Sequence, residues 1–205
     1  MLTPKRYRSI PAKSIKKPDP AAAGPAGFTL VELLVAMFAA MIVLAAVVSL
    51  FTTLNKSYTR QNVAANIQQV ARAGVDFMAQ SIRMAGLDPD QTGDFGITVA
   101  TETSITFIAD LDLDGSVAGS GETISYFLNG HELMSNLSAV PLVDNVTDLT
   151  YTYLAGDGSI LAAPVADPAD IRTVQIALTV QEPAGWGKTV TRTYATEVRC
   201  RNLGL

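Results

Sequence analysis

The chain has 205 residues, 48% of them hydrophobic, and a mean hydropathy of +0.26, which suits one membrane segment plus one modest folded domain and falls short of two full domains. Its net charge of −4 divides into +5 over residues 1–27 and −9 over the rest. An acidic body argues against a broad nucleic-acid-binding surface, because phosphate contacts need clustered lysine and arginine, whereas a basic N-terminal arm suits the cytoplasmic side of a membrane.

Residues 1–27 hold Lys5, Arg6, Arg8, Lys13, Lys16 and Lys17 against Asp19, among prolines and small residues without a periodic apolar pattern. They read as a disordered basic leader outside the fold. From Leu33 to Val48 every residue is apolar, and the character continues past Ser49 through Leu50, Phe51 and Leu54. A helix from Phe28 to Leu54, rising about 1.5 Å per residue, would be about 40 Å long and would cross a hydrocarbon core of about 30 Å. A secretory signal peptide expects a small-residue cleavage site after its apolar core. Here the small residues, Ala21 to Gly27, come before it. Cleavage on that side keeps the hydrophobic helix in the mature protein.

Glu32 is the one acid inside the apolar stretch. Dragging a carboxylate towards the bilayer centre costs about 2.5–3.5 kcal/mol on insertion scales, so it needs an interfacial position or a partner. If the chain is cut between Gly27 and Phe28, Glu32 falls in the first helical turn, where the macrodipole favours a negative charge. It also lies on the same face as the new amino group. The stretch Gly27-Phe28-Thr29-Leu30-Val31-Glu32-Leu33-Leu34-Val35-Ala36-Met37 closely resembles the type IV prepilin cleavage and methylation motif. The resemblance implies that a prepilin peptidase cuts after Gly27 and methylates Phe28, and that Glu32 pairs with the terminal amine of a neighbouring subunit during assembly. A leader of 27 residues is long for that family, and the single cysteine, Cys200, precludes the internal disulfide common in its major members. Both features favour a minor pilin or pseudopilin.

No proline occurs between Pro25 and Pro89, and Val63, Ile67, Val70, Gly74, Met78, Ile82 and Ala85 recur at steps of three or four, with Arg60, Gln61, Gln68, Arg72, Asp76 and Arg83 opposite. This spacing predicts one helix from about Phe28 to Ala85, ended by Gly86 and Asp88-Pro89. Residues 28–55 are its transmembrane part and 56–86 its amphipathic part. After Gly93 the period becomes two: Ile105 and Phe107; Ile124, Tyr126 and Leu128; Leu149, Tyr151 and Tyr153; and Val174, Ile176, Leu178 and Val180. Val190 to Arg199 is expected to pair with the last of these runs, and Asn129-Gly130 to form a two-residue hairpin turn. The expectation is an α+β fold, a long N-terminal helix packed on a mainly antiparallel sheet over residues 87–205. The order of segments resembles PilW-like minor pilins and J-type pseudopilins of type II secretion. That likeness rests on Ile105-Thr106-Phe107, the Asp-rich loop, Ile124-Ser125-Tyr126, Val140-Pro141-Leu142-Val143 and Thr173-Val174-Gln175-Ile176, and it implies a type IV pilin fold.

Asp110-Leu111-Asp112-Leu113-Asp114-Gly115 places three carboxylates at alternate positions before a glycine, the pattern of the first half of a calcium loop. The second half departs from it, because position twelve is Gly121 and Glu122 comes one residue late. If the loop bulges, the Ser116 carbonyl and Glu122 are the remaining ligands. A solvated acidic turn is the competing reading. No catalytic constellation is visible: His131, the only histidine, follows the expected hairpin turn, and neither a serine nor Cys200 is placed beside it.

These readings converge on a minor pilin of a type IV pilus, with a type II secretion pseudopilin or a filament-displayed adhesive module as alternatives and an anchored enzyme disfavoured. The resemblance implies other pilins, the prepilin peptidase, the inner-membrane assembly platform and membrane lipid as partners. It further implies a single pass through a bacterial inner membrane, with a cytoplasmic N-terminus and an extracytoplasmic C-terminal domain.

Overall fold

A computed structural model describes residues 27–91, 95–117, 119 and 121–203; the expected leader, residues 1–26, lies outside them. The chain forms two compact units, residues 1–49 and 50–205, and one helix, α1 (Leu30–Ile82), contributes to both. In the first unit every residue from Leu30 to Ser49 is exposed. A helix that is apolar on all sides has no polar face to offer water, and α1 is long and apolar enough there to cross a membrane by length and composition.

In the second unit α1 becomes one-sided. Ile67, Ala71, Gly74, Val75, Met78, Ala79 and Ile82 are buried, while Arg60, Gln68, Arg72 and Arg83 stay exposed. The apolar stripe at steps of three and four is therefore the core face, widened by Ala71, Val75 and Ala79, whose small side chains permit close approach. The regular helix ends at Ile82, three residues short of the expected Ala85. Its last turn is tightened, with Met84 N donating to Ser81 O and Ala85 N to Ile82 O. Gly86 then adopts φ +75°, which a glycine takes without Cβ strain, and its N–H donates to Ile108 O.

The strands are β1 (Gly96–Ala100), β2 (Ser104–Ile108), β3 (Thr123–Asn129), β4 (Glu132–Ser135), β5 (Val146–Leu154), β6 (Ile160–Leu161), β7 (Thr173–Pro183) and β8 (Thr189–Arg199). They make two antiparallel sheets of four strands, in the orders β1-β2-β3-β4 and β6-β5-β7-β8. The fold is α+β as expected, but the sheet is split. The segment between β4 and β5 runs through Pro141 and leaves only a bridge between Leu133 and Val143, so β5 starts a second sheet. Short links join the two: Tyr151 N donates to Glu102 O, Val146 N to His131 O and Val165 N to Ala100 O. The hairpin turn is Gly130-His131 between paired Asn129 and Glu132, one residue later than expected.

Alternation decides which side of each strand is buried. Val174, Ile176, Leu178 and Val180 lie within 1% of full burial, whereas Gln175 is exposed. Three buried tyrosines carry hydroxyls that find partners: on α1, Tyr126 donates to Ser81 Oγ at 2.8 Å and Tyr151 to Met78 Sδ at 3.2 Å, and between β1 and β2, Tyr153 donates to Thr101 O at 2.8 Å. Burial raises the pKa of each phenol, which keeps all three as neutral donors.

Gly74 marks a close approach of α1 to the segment between β4 and β5, because a Cβ built there would overlap Val143 Cγ2. Gly74→Ala gains about 0.5–1 kcal/mol of helix propensity but overpacks the site by about 1–3 kcal/mol. The expected net effect is a destabilisation of about 1–2 kcal/mol, which lowers the midpoint of thermal unfolding by several degrees. Circular dichroism of the detergent-solubilised chain checks this, and an unchanged or raised midpoint contradicts the close packing.

Candidate functional site

Two groups of residues stand out, one in each unit. At the start of α1, Thr29 is the N-cap and Glu32 the third helical residue. Glu32 N donates to Thr29 Oγ1 at 3.2 Å, and Glu32 Oε2 lies 3.5 Å from both Thr29 N and Thr29 Oγ1. This is a reciprocal capping box, which satisfies two backbone donors that a helix start leaves without intrahelical partners. The T-x-x-E spacing was its available signal. Reasoning from charge alone passes over it. Gly27 and Phe28 stand immediately outside the helix, Phe28 with 86% of its surface exposed, and a Cβ at Gly27 would meet nothing within 4 Å.

The second group lies in the loop from residue 109 to 122 that joins β2 to β3. Asp110, Asp112, Asp114 and Glu122 each offer a carboxylate oxygen, and those oxygens lie within 4.8 Å of one another. Strand register brings Glu122 in. Ile108 pairs with Thr123 and Ala109 N donates to Glu122 O at 3.1 Å, so Asp110 and Glu122 flank the open end of one hairpin. Counting to a twelfth loop position is therefore irrelevant to how Glu122 arrives.

Asp110 is fully buried and organises the turn. Its Oδ1 accepts from Leu113 N at 2.6 Å and Asp114 N at 3.2 Å, and its Oδ2 from Gly115 N at 3.1 Å. Asp112 Oδ1 accepts from Asp114 N, and Asp114 Oδ1 from Ser116 N at 2.8 Å. Ser116 is half-buried beside the exposed Asp112 and Asp114. Glu122 differs from the others. Only 1% of it is exposed; its Oε2 accepts from Gly119 N at 2.9 Å, but its Oε1 is buried without a hydrogen-bond partner among the described residues. Burial raises its pKa most, and the charges of Asp112, Asp114 and Asp110 push in the same direction against the bond from Gly119.

Residues 24–48 match the family model described as the prokaryotic N-terminal methylation motif. The chain carries a prepilin-type start. No curated protein matches the sequence. Among solved structures, the chain is similar to a type IV-like pilin from Thermus thermophilus, at 12% identity and a TM-score of 0.48, over 67% of this chain and 98% of that one. Gly27, Phe28 and Glu32 fall within the matched stretch of the prepilin-type motif; the carboxylate loop lies outside it.

His131 is exposed, and its Nδ1 lies 3.0 Å from Val146 O. Cys200 follows β8 and is 2% exposed. Burial pushes its thiol pKa from 9.0 up to about 11, against a smaller opposing pull from Arg172. The stability this shift reflects is present below about pH 9 and is lost as pH rises through about 11. At pH 8 a thiol that titrates near about 11 instead of 9.0 holds about a hundredfold less thiolate than the unfolded chain. Alkylation by iodoacetamide is therefore expected to be at least about a hundredfold slower in the folded chain than in urea. Equal rates in the two states contradict the burial of Cys200.

Proposed function

We propose that the chain is made as a type IV pilin precursor and works as a minor pilin. The basic leader, residues 1–27, is cut between Gly27 and Phe28 by a prepilin peptidase, and the new amino group of Phe28 is methylated. Residues 28–55 remain as the membrane and assembly helix, and residues 56–86 continue it into the extracytoplasmic domain formed by 87–205. The subunit waits in the inner membrane and then joins other pilins at the assembly platform, where it primes the filament or stands at its tip.

One observation carries this reading: the methylation motif at residues 24–48 contains the start of α1, whose apolar side chains are all exposed from Leu30 to Ser49 and beyond. Such a surface is stable only in lipid or against like helices. Both environments exclude water, so Glu32 and a free terminal ammonium each carry a penalty that their pairing between subunits offsets. The lone Cys200 rules out an internal disulfide and favours a minor subunit.

Glu32→Gln separates the two roles of this residue. Glutamine keeps the capping box with Thr29 but removes the charge. The variant is expected to be processed and inserted normally, to begin at N-methyl-Phe28 by mass spectrometry, and to enter sheared filaments at least tenfold less than the wild type. A mature chain that starts beyond Leu54, or incorporation of the variant at wild-type levels, defeats the proposal.

A further inference from the structure

We propose that the β2–β3 loop is a divalent-cation site, selective for calcium over magnesium, built from the carboxylates of Asp110, Asp112, Asp114 and Glu122. Four carboxylates whose oxygens gather within 4.8 Å repel one another, and none of them pairs with a basic side chain among the described residues. Acidic turns of this kind are common on surfaces, where water screens them. Glu122 lacks that recourse, because its Oε1 is buried and has no partner among the described residues. A buried carboxylate oxygen left in that state is penalised as an unsatisfied acceptor and as an unpaired charge. A cation held by the same oxygens relieves both penalties and the repulsion.

Gly119 supports this placement. Its N–H holds Glu122 Oε2 at 2.9 Å, and a Cβ at residue 119 would overlap the carboxylate. The buried pair Asp110 and Glu122 forms the root of the site, and the exposed pair Asp112 and Asp114 forms its mouth. The Ser116 carbonyl, at the seventh loop position, and water complete the six to eight oxygens that calcium takes.

The donor set selects the ion. All four ligands are hard oxygens with no histidine or cysteine, which disfavours zinc and copper. Oxygens that all lie within 4.8 Å of one another fit around calcium at about 2.3–2.6 Å, and an irregular loop suits its flexible coordination better than the near-ideal octahedron at about 2.0–2.1 Å that magnesium demands. Asp110 N donates to Leu87 O at 3.0 Å, so a bound cation also ties the loop to the segment leaving α1. This site does not depend on the filament reading.

Calcium titration of the chelator-stripped full chain in detergent tests the site by calorimetry. One calcium per chain is expected, with a dissociation constant of about 10⁻⁴–10⁻³ M, the range of extracellular calcium modules. Magnesium is expected to bind at least tenfold more weakly, and saturating calcium to raise the unfolding midpoint by several degrees. Asp112→Asn keeps an oxygen for the Asp114 N–H but loses a charge, and Glu122→Gln does the same at the buried end. Each is expected to weaken calcium at least tenfold. Should Glu122→Gln fail to fold, the exposed Asp112→Asn carries the comparison. The proposal is overturned by the absence of binding to the folded wild type at about 10 mM calcium, ten times the weak end of that range. Asp112→Asn affinity within twofold of wild type, or magnesium binding as tightly as calcium, overturns it equally.

Discussion

The architecture depends on one packing arrangement, the burial of a single stripe of α1 against two sheets that share few hydrogen bonds with each other. Ile67, Val75, Met78 and Ile82 are fully buried in one cluster with Ile105, Phe107 and Tyr126 from the first sheet and Leu149, Tyr151, Ile176 and Leu178 from the second. Each such side chain contributes about 1.5–3 kcal/mol by leaving water, far more than the exposed Arg72–Asp76 pair at 3.5 Å, an (i, i+4) contact worth little when solvated. The helix is thus the common floor of both sheets. The tyrosine hydroxyls directed at Ser81 and Met78 set its rotation and depth, which apolar contact alone leaves loosely defined.

Periodicity made most of this legible. Steps of three and four from Val63 to Ile82 and steps of two along β5 and β7 identified the buried faces before any coordinates, because a side chain's direction follows directly from the local dihedral repeat. Partnership across a short turn was legible too, since Val190 to Arg199 pairs with β7 as expected, but the division into two sheets was not. Whether β5 continues the first sheet or begins a second turns on where Pro141 and its neighbours carry the chain, a long-range outcome that leaves no trace in local alternation. The short strands β1 and β6 were similarly obscure, since a bulge between Ile97 and Val99 breaks the alternation of β1 and two residues are too few to display a period.

The two functional regions were legible for different reasons. The start of α1 was read from charge and from its neighbours, yet its capping geometry is local chemistry that the spacing of Thr29 and Glu32 already encodes. The carboxylate loop was readable up to Asp114. Glu122 looked misplaced because linear counting assumes a helix–loop–helix frame, whereas here two paired strands set the separation of the ends. Its burial and orphaned oxygen belong to three-dimensional packing and have no sequence signature.

That hairpin frame has an evolutionary corollary. Because the pairing of β2 with β3 and the bond from Ala109 N to Glu122 O keep Asp110 and Glu122 together at the open end of the hairpin, the stretch between Ser116 and Glu122 is not a ruler. Related chains can lengthen or shorten it by whole residues, remodelling what the loop presents to its surroundings, while the two anchoring acids stay at the hairpin's mouth.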